Sequence, residues 1–145
     1  MNYDDAADLI RKHEGYRNRL YMDSLGNLTG GIGHLFSVGS YLPCYVVERL
    51  FYVDFSKTIS DYQTICQNYK LDLDTVRRAV LLNMVFNLGI SKIMKFVKFF
   101  ACLKKGDYEG AADEMLDSKW ASQVKGRAVE LAEMMRTGTY DLPGV

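Results

Sequence analysis

A single switch of period constrains this chain more than any other feature. From Tyr16 to Leu35 the apolar residues fall in short pieces punctuated by Gly26-Asn27 and by Gly30, Gly31 and Gly33, which reads as small strands joined by tight turns. On both sides of that stretch the apolar spacing is helical. Asp4 to His13 puts Ala6, Leu9 and Ile10 on one face, with Asp4 and Asp5 at the start and Gly15 as a left-handed stop, so a first helix ends near Glu14. Beyond Pro43, residues such as Val47, Leu50, Phe51, Phe55, Ile59, Tyr62, Ile65 and Tyr69 recur near the helical period, as one long helix or two abutting ones. At ~1.5 Å per residue this run spans roughly 35 Å, long enough to connect two lobes.

Asp72 or Asp74 is placed to cap the next helix, Thr75 to Leu88, which is apolar on nearly every face, ends at Gly89 and is expected to be central and buried. Ile93 to Leu103 then predicts one amphipathic helix with Lys92, Lys95 and Lys98 toward water, and Lys104-Lys105-Gly106-Asp107 a turn. Tyr108 to Leu116, a piece at Lys119-Trp120, and Arg127 to Met135 add short helices, stopped near Gly138 and Pro143. The class is α+β, mainly α, with one small β-hairpin region.

Composition narrows the function. At 145 residues, 48% apolar and 25% charged, the chain fits one folded, soluble domain. Eighteen Lys plus Arg balance eighteen Asp plus Glu, so no global positive field is available for a polyphosphate, and nucleic acid is not expected as a partner. Cys44, Cys66 and Cys102 are odd in number, far apart and without a C-x-x-C pair, which predicts reduced, buried thiols rather than disulfides or a zinc cage. The start is acidic where an export signal would be basic, and the most apolar stretch, Ala79 to Phe86, is interrupted at Asn83. Neither export nor membrane insertion is expected.

The candidate chemistry gathers around the glycine-punctuated stretch. Glu14 sits at a helix C-terminus, whose partial negative charge disfavours an ionised carboxylate, and partial dehydration would act in the same direction. A general acid working near neutral pH needs such a shift, which Arg17, Arg19 and Arg127 would oppose. Asp23 follows nine residues on, beside the Ser24-Leu25-Gly26-Asn27 turn, and Thr29 six further. A helix end and a hairpin can set a protonated and an ionised carboxylate across from each other with a hydroxyl beside them, which is equipment for splitting a glycosidic bond. Taken singly, each residue has a plainer use: a solvated Glu, an Asx turn at Asp23, a strand-favouring Thr.

Together they form a pattern. Glu14, Asp23 and Thr29 in the string His13-Glu14-Gly15, Leu20-Tyr21-Met22-Asp23 and Thr29-Gly30-Gly31-Ile32-Gly33-His34 resemble the active-site signature of the phage-type lysozymes, the endolysin muramidases. Downstream, Val76-Arg77-Arg78-Ala79, Asn83 to Gly89, Ser118-Lys119-Trp120 and Arg136 to Tyr140 are similar in order and spacing to the T-even branch of that family. The resemblance implies a two-lobed lysozyme-like fold: a small β lobe over about 14–60 and a helical lobe of about 1–13 plus 61–145, joined by the long helix. It implies inverting hydrolysis of the β-1,4 bond between N-acetylmuramic acid and N-acetylglucosamine. In that scheme Glu14 protonates the leaving oxygen, Asp23 positions water and stabilises positive charge, and Thr29 helps hold the water. Asn87 and Gly33 would contact the substrate.

The same resemblance pairs His34 with Asp54 and Arg127 with the catalytic Glu, while Trp120 and Asn83 read as structural. It implies a monomer acting on bacterial peptidoglycan without metal or organic cofactor. The chain would be made in a host bacterium's cytoplasm and act on periplasmic peptidoglycan. Three departures stand out: Gly30 where an apolar residue is usual, expected to loosen the strand behind Thr29; a short segment from Phe36 to Tyr41; and zero net charge, expected to weaken steering to an anionic wall. The rivals are a lytic transglycosylase, against which the presence of Asp23 argues, and a non-catalytic glycan-binding or virion-structural module.

Overall fold

The computed structural model describes residues 3–140, so the stop expected at Pro143 lies outside the described residues. The chain divides into two compact units, Met1–Val46 and Val47–Val145. The division places the first helix with the sheet, and it falls well before residue 60.

In the first unit, α1 (Tyr3–Glu14) carries Asp4 and Asp5 in its first turn and Arg11, Lys12 and His13 in its last, matching the helix dipole at both ends. Gly15, at φ +75°, donates its N–H to the Arg11 carbonyl at 2.9 Å and turns the chain out of the helix. Three short antiparallel strands follow in the order β1 (Arg17–Met22), β2 (Leu28–Gly31) and β3 (His34–Leu35). Arg17 pairs with Gly31 and Tyr21 with Thr29, so β1 takes four steps where β2 takes two, and it bulges between them. Thr29 then pairs with Leu35, and Gly30 with His34.

Gly30 does not leave the strand loose. A Cβ there would lie 2.8 Å from Leu20 Cδ2 and 3.2 Å from Phe36 Cε2, so those two side chains already occupy the space that an apolar residue would take. The expected weakness behind Thr29 is filled from the flanking strand and from the residue after β3.

The second unit is helical. α2 is one unbroken helix, Cys44–Tyr69, with Pro43 just ahead of it and its first turn at the division between the units. Asp74 rather than Asp72 caps α3 (Thr75–Leu88), its side chain accepting from Arg77 N at 3.0 Å. Val80, Leu81, Met84 and Val85 of α3 are buried in a core with Ile65, Ile93, Phe99, Phe100, Met115, Leu131 and Met135. The helix is less enclosed than its composition suggests, because Ala79, Asn83, Phe86 and Asn87 form an exposed stripe at helical spacing.

The single helix expected over Ile93 to Leu103 is two: α4 (Ile90–Ile93) and α5 (Val97–Lys105). Phe96 leaves helical dihedrals, at φ −79° and ψ 59°, and its ring meets Phe99 edge to face at 6.3 Å. Beyond it lie α6 (Tyr108–Leu116), α7 (Lys119–Val124) and α8 (Gly126–Thr137), the last closed by left-handed Gly138. The three thiols are free; Cys44 is exposed, contrary to expectation, and Cys66 and Cys102 are half-buried. Among the described residues no helix is long and apolar enough to cross a membrane.

Candidate active site

Glu14, Asp23, Thr29 and Gly33 all belong to the first unit. Glu14 is the last residue of α1 and is exposed, so the dehydration expected of it is absent from this structure. Its carboxyl lies directly over Gly33. A Cβ at Gly33 would fall 2.7 Å from Glu14 Oε2 and 3.0 Å from its Cγ, and the glycine sits at φ +65° in the turn between β2 and β3. Any side chain there would drive the acid away. The geometry therefore assigns Gly33 a role beside Glu14, making room for the carboxyl.

Asp23 closes the turn between β1 and β2. Its backbone N–H donates to the Asn27 carbonyl at 2.9 Å, and its own carbonyl accepts from Gly26 N at 3.1 Å. The carboxylate accepts from Leu25 N at 2.9 Å and Asn27 N at 2.7 Å through Oδ1, and from Asn27 Nδ2 at 3.3 Å through Oδ2. These bonds, the Asn27 backbone N–H foremost, hold the carboxyl below the usual Asp range. The Asx turn, the plainer use of an Asp at this place, is present and extends the ionised range of the group to lower pH.

Thr29 is only 3% exposed, and its hydroxyl donates to the Asn27 carbonyl at 3.0 Å. With the proton committed, the lone pairs of Oγ1 remain to accept from a further donor. Asn27 thus touches both Asp23 and Thr29. It is the residue that sequence reasoning missed: Gly26-Asn27 was legible as a turn, and nothing in the pattern gave the asparagine four hydrogen bonds to Asp23 and Thr29. His34, paired with Gly30 across β2 and β3, packs its ring edge-on against Phe36 at 4.7 Å; Asp54 belongs to the other unit.

In the second unit, Asn87 is exposed and its Oδ1 accepts the indole N–H of Trp120 at 2.8 Å. Trp120 is 3% exposed, a core residue as expected. The side-chain amide of Asn87 is left with its Nδ2 donors, beside a pocket of about 580 Å³ that Phe51, Phe55, Phe86, Asn83 and Arg127 also line. No group of three or more His, Cys, Asp or Glu side chains is gathered for a metal ion among the described residues.

The sequence pattern of the family described as phage lysozyme matches residues 11–136, which takes in Glu14, Asp23, Thr29, Asn87 and Arg127. The chain belongs to the phage lysozyme family. Among its relatives are a probable T4-type lysozyme 1 from Dictyostelium discoideum, 27% identical over 92% of this chain and 95% of that protein. An endolysin of Acyrthosiphon pisum secondary endosymbiont phage 1 is 25% identical over 88% of this chain and 86% of its own. The pre-baseplate central spike protein Gp5 of Enterobacteria phage T4 is 27% identical over 96% of this chain, which spans 29% of that longer protein. Membership of the phage lysozyme family makes the chain a peptidoglycan hydrolase of the glycosidase class.

Proposed function

We propose that this lysozyme-family chain cleaves the β-1,4 bond between N-acetylmuramic acid and N-acetylglucosamine with inversion at the anomeric carbon. Glu14 donates a proton to the leaving oxygen, Asp23 orients a water and faces the developing positive charge, and Thr29 accepts a hydrogen bond from that water. The observation that carries this reading is the anchor that Asp23 and Thr29 share: Asn27 donates to the Asp23 carboxylate from its backbone N–H and its side-chain amide, and its carbonyl accepts from the Thr29 hydroxyl. An enzyme that forms an anhydro sugar has no need of a second, permanently ionised carboxylate beside a water-binding hydroxyl. Asn87 Nδ2 is proposed to meet the sugar, its Oδ1 being taken by Trp120.

The chain is proposed to act as a monomer on periplasmic peptidoglycan after synthesis in the cytoplasm of a host bacterium. Product stereochemistry tests the mechanism. Proton NMR of freshly cut glycan should show the α-anomer of the new reducing end first; the β-anomer first, or an anhydro sugar, would overturn inversion.

A second reading, a virion-borne module, is favoured by the T4 spike relative. It predicts the chain in purified particles by immunoblot; a signal confined to the particle-free lysate would remove it.

A further inference from the structure

Trp120 is the single tryptophan of the chain, and its burial obliges the indole N–H to find an acceptor. Ser118 fixes the place from which it donates: the serine hydroxyl accepts from Ala121 N at 3.1 Å as the N-cap of α7 and donates to the Met115 carbonyl at 2.6 Å. The ring belongs to the buried core, yet the acceptor it meets, Asn87 Oδ1, lies on the exposed stripe of α3. A core position thus dictates the orientation of a surface side chain 33 positions away.

An unconstrained side-chain amide exchanges its oxygen and its NH2 by a half turn. An indole N–H only donates, so the bond to Trp120 leaves one orientation, with Oδ1 turned to the core and the Nδ2 hydrogens free for a ligand. Beside them lies the pocket of about 580 Å³, with Phe51, Phe55 and Phe86 as its apolar wall. Asn83, one turn before Asn87, lines the same pocket and has no side-chain hydrogen bond among the described residues, so its oxygen is available to a donor. Arg127 adds donors, and no Asp or Glu lines the pocket.

These features match one small group. A carbonyl oxygen for Asn87 Nδ2, an N–H for the Asn83 oxygen and a methyl for the aromatic wall are together an acetamido group. A hydroxyl brings a proton that Asn87, with its oxygen engaged, is badly placed to accept. A carboxylate answers Arg127 but brings neither the N–H nor the methyl.

We propose that Trp120 is a positioning residue: it fixes Asn87 as a donor to an acetamido carbonyl and so sets the preference of this pocket for N-acetylated over de-N-acetylated glycan. The inference rests on the peptidoglycan reading above, and it adds the group that the pocket selects and the residue behind the selection. Specificity here comes from a commitment made in the core: the lost half turn of Asn87 removes the orientation that would accept an amine.

With one tryptophan, the full chain gives one indole N–H signal in a proton–nitrogen correlation spectrum, and that signal reports the bond to Asn87. The probe is the β-1,4-linked N-acetylglucosamine tetramer, which carries acetamido groups but neither a muramic carboxylate nor a peptide. It should move the indole signal saturably, and the glucosamine tetramer should bind about tenfold more weakly by calorimetry. Trp120→Phe, checked by thermal unfolding, frees the amide and should narrow that preference about two- to fivefold. Asn87→Asp keeps an acceptor for the indole and turns an oxygen outward, so it should reverse the preference toward the amine-bearing tetramer; this variant and the wild-type titration decide the matter even if Trp120→Phe does not fold. An indole signal that the N-acetylated tetramer leaves in place, or a preference unchanged in a folded variant, would overturn the proposal. Peptidoglycan hydrolysis by wild type with an unmoved indole would remove this inference alone; a moved indole and reversed preference without hydrolysis would uphold it and remove the enzymatic reading.

Discussion

Asn27 joins the two groups on which water activation is proposed to depend. Its backbone N–H and side-chain amide both donate to Asp23, and its carbonyl accepts from Thr29. A carboxyl held below its ordinary range stays charged above that range and loses its ionised form, with the stability it lends, as pH falls through the lowered value. Asn27→Ala keeps the backbone bonds and deletes the amide, so the Asp23 pKa should rise toward the ordinary value. The acid limb of the kcat/KM profile should move to higher pH while the rate at neutral pH changes little; a profile that stays in place would contradict the assignment. Gly30 gives a second residue-scale expectation. Gly30→Ile should clash with Leu20 and Phe36 and cost about 1–3 kcal/mol in urea unfolding. Adding Leu20→Ala should recover part of that loss. The Glu14, Asp23 and Thr29 pattern was visible in the sequence through its resemblance to a family signature. Asn27, Leu20 and Phe36 were not, because their roles depend on the bulge and register that bring the strands together.

At the scale of elements, sequence punctuation predicted most boundaries, because capping is local. Gly15, Gly89, Gly106 and Gly138 all end helices, and Asp74, Asp107 and Ser118 begin them with side-chain bonds to backbone N–H groups. The break between α4 and α5 was illegible because Phe96, which leaves helical dihedrals there, is neither a glycine nor a proline and makes no side-chain cap. Arg77 shows the same limit. Its guanidinium donates to the carbonyls of Met135 at 2.7 Å and Arg136 at 3.2 Å and lies over the Tyr108 ring at 3.7 Å, partners far along the chain that the sequence does not reveal. It satisfies carbonyls that the end of α8 would otherwise leave open. Arg77→Met should therefore lower the unfolding free energy by about 2 kcal/mol or more, because charged hydrogen bonds are lost while volume is retained. Calorimetry showing an unchanged Tm would refute this role for the α3–α8 contact.

For the whole molecule, a balanced charge total conceals a segregation along the chain, with seven basic residues and no acid from Thr75 to Gly106 and five acids and no base from Asp107 to Asp117. Family and class were legible because the motif and the period are both local in sequence. What each unit does with its exposed groups is a matter of side-chain packing, as the Trp120 bond to Asn87 shows. The central claim is that a folded chain uses Glu14 as the acid in peptidoglycan hydrolysis. The direct measurement is release of reducing ends from purified peptidoglycan by wild type and by Glu14→Gln, with thermal unfolding of both. The account predicts matching unfolding curves and a loss of at least about a hundredfold in rate, since an amide cannot donate the proton. A folded Glu14→Gln protein within a few-fold of wild type would contradict it.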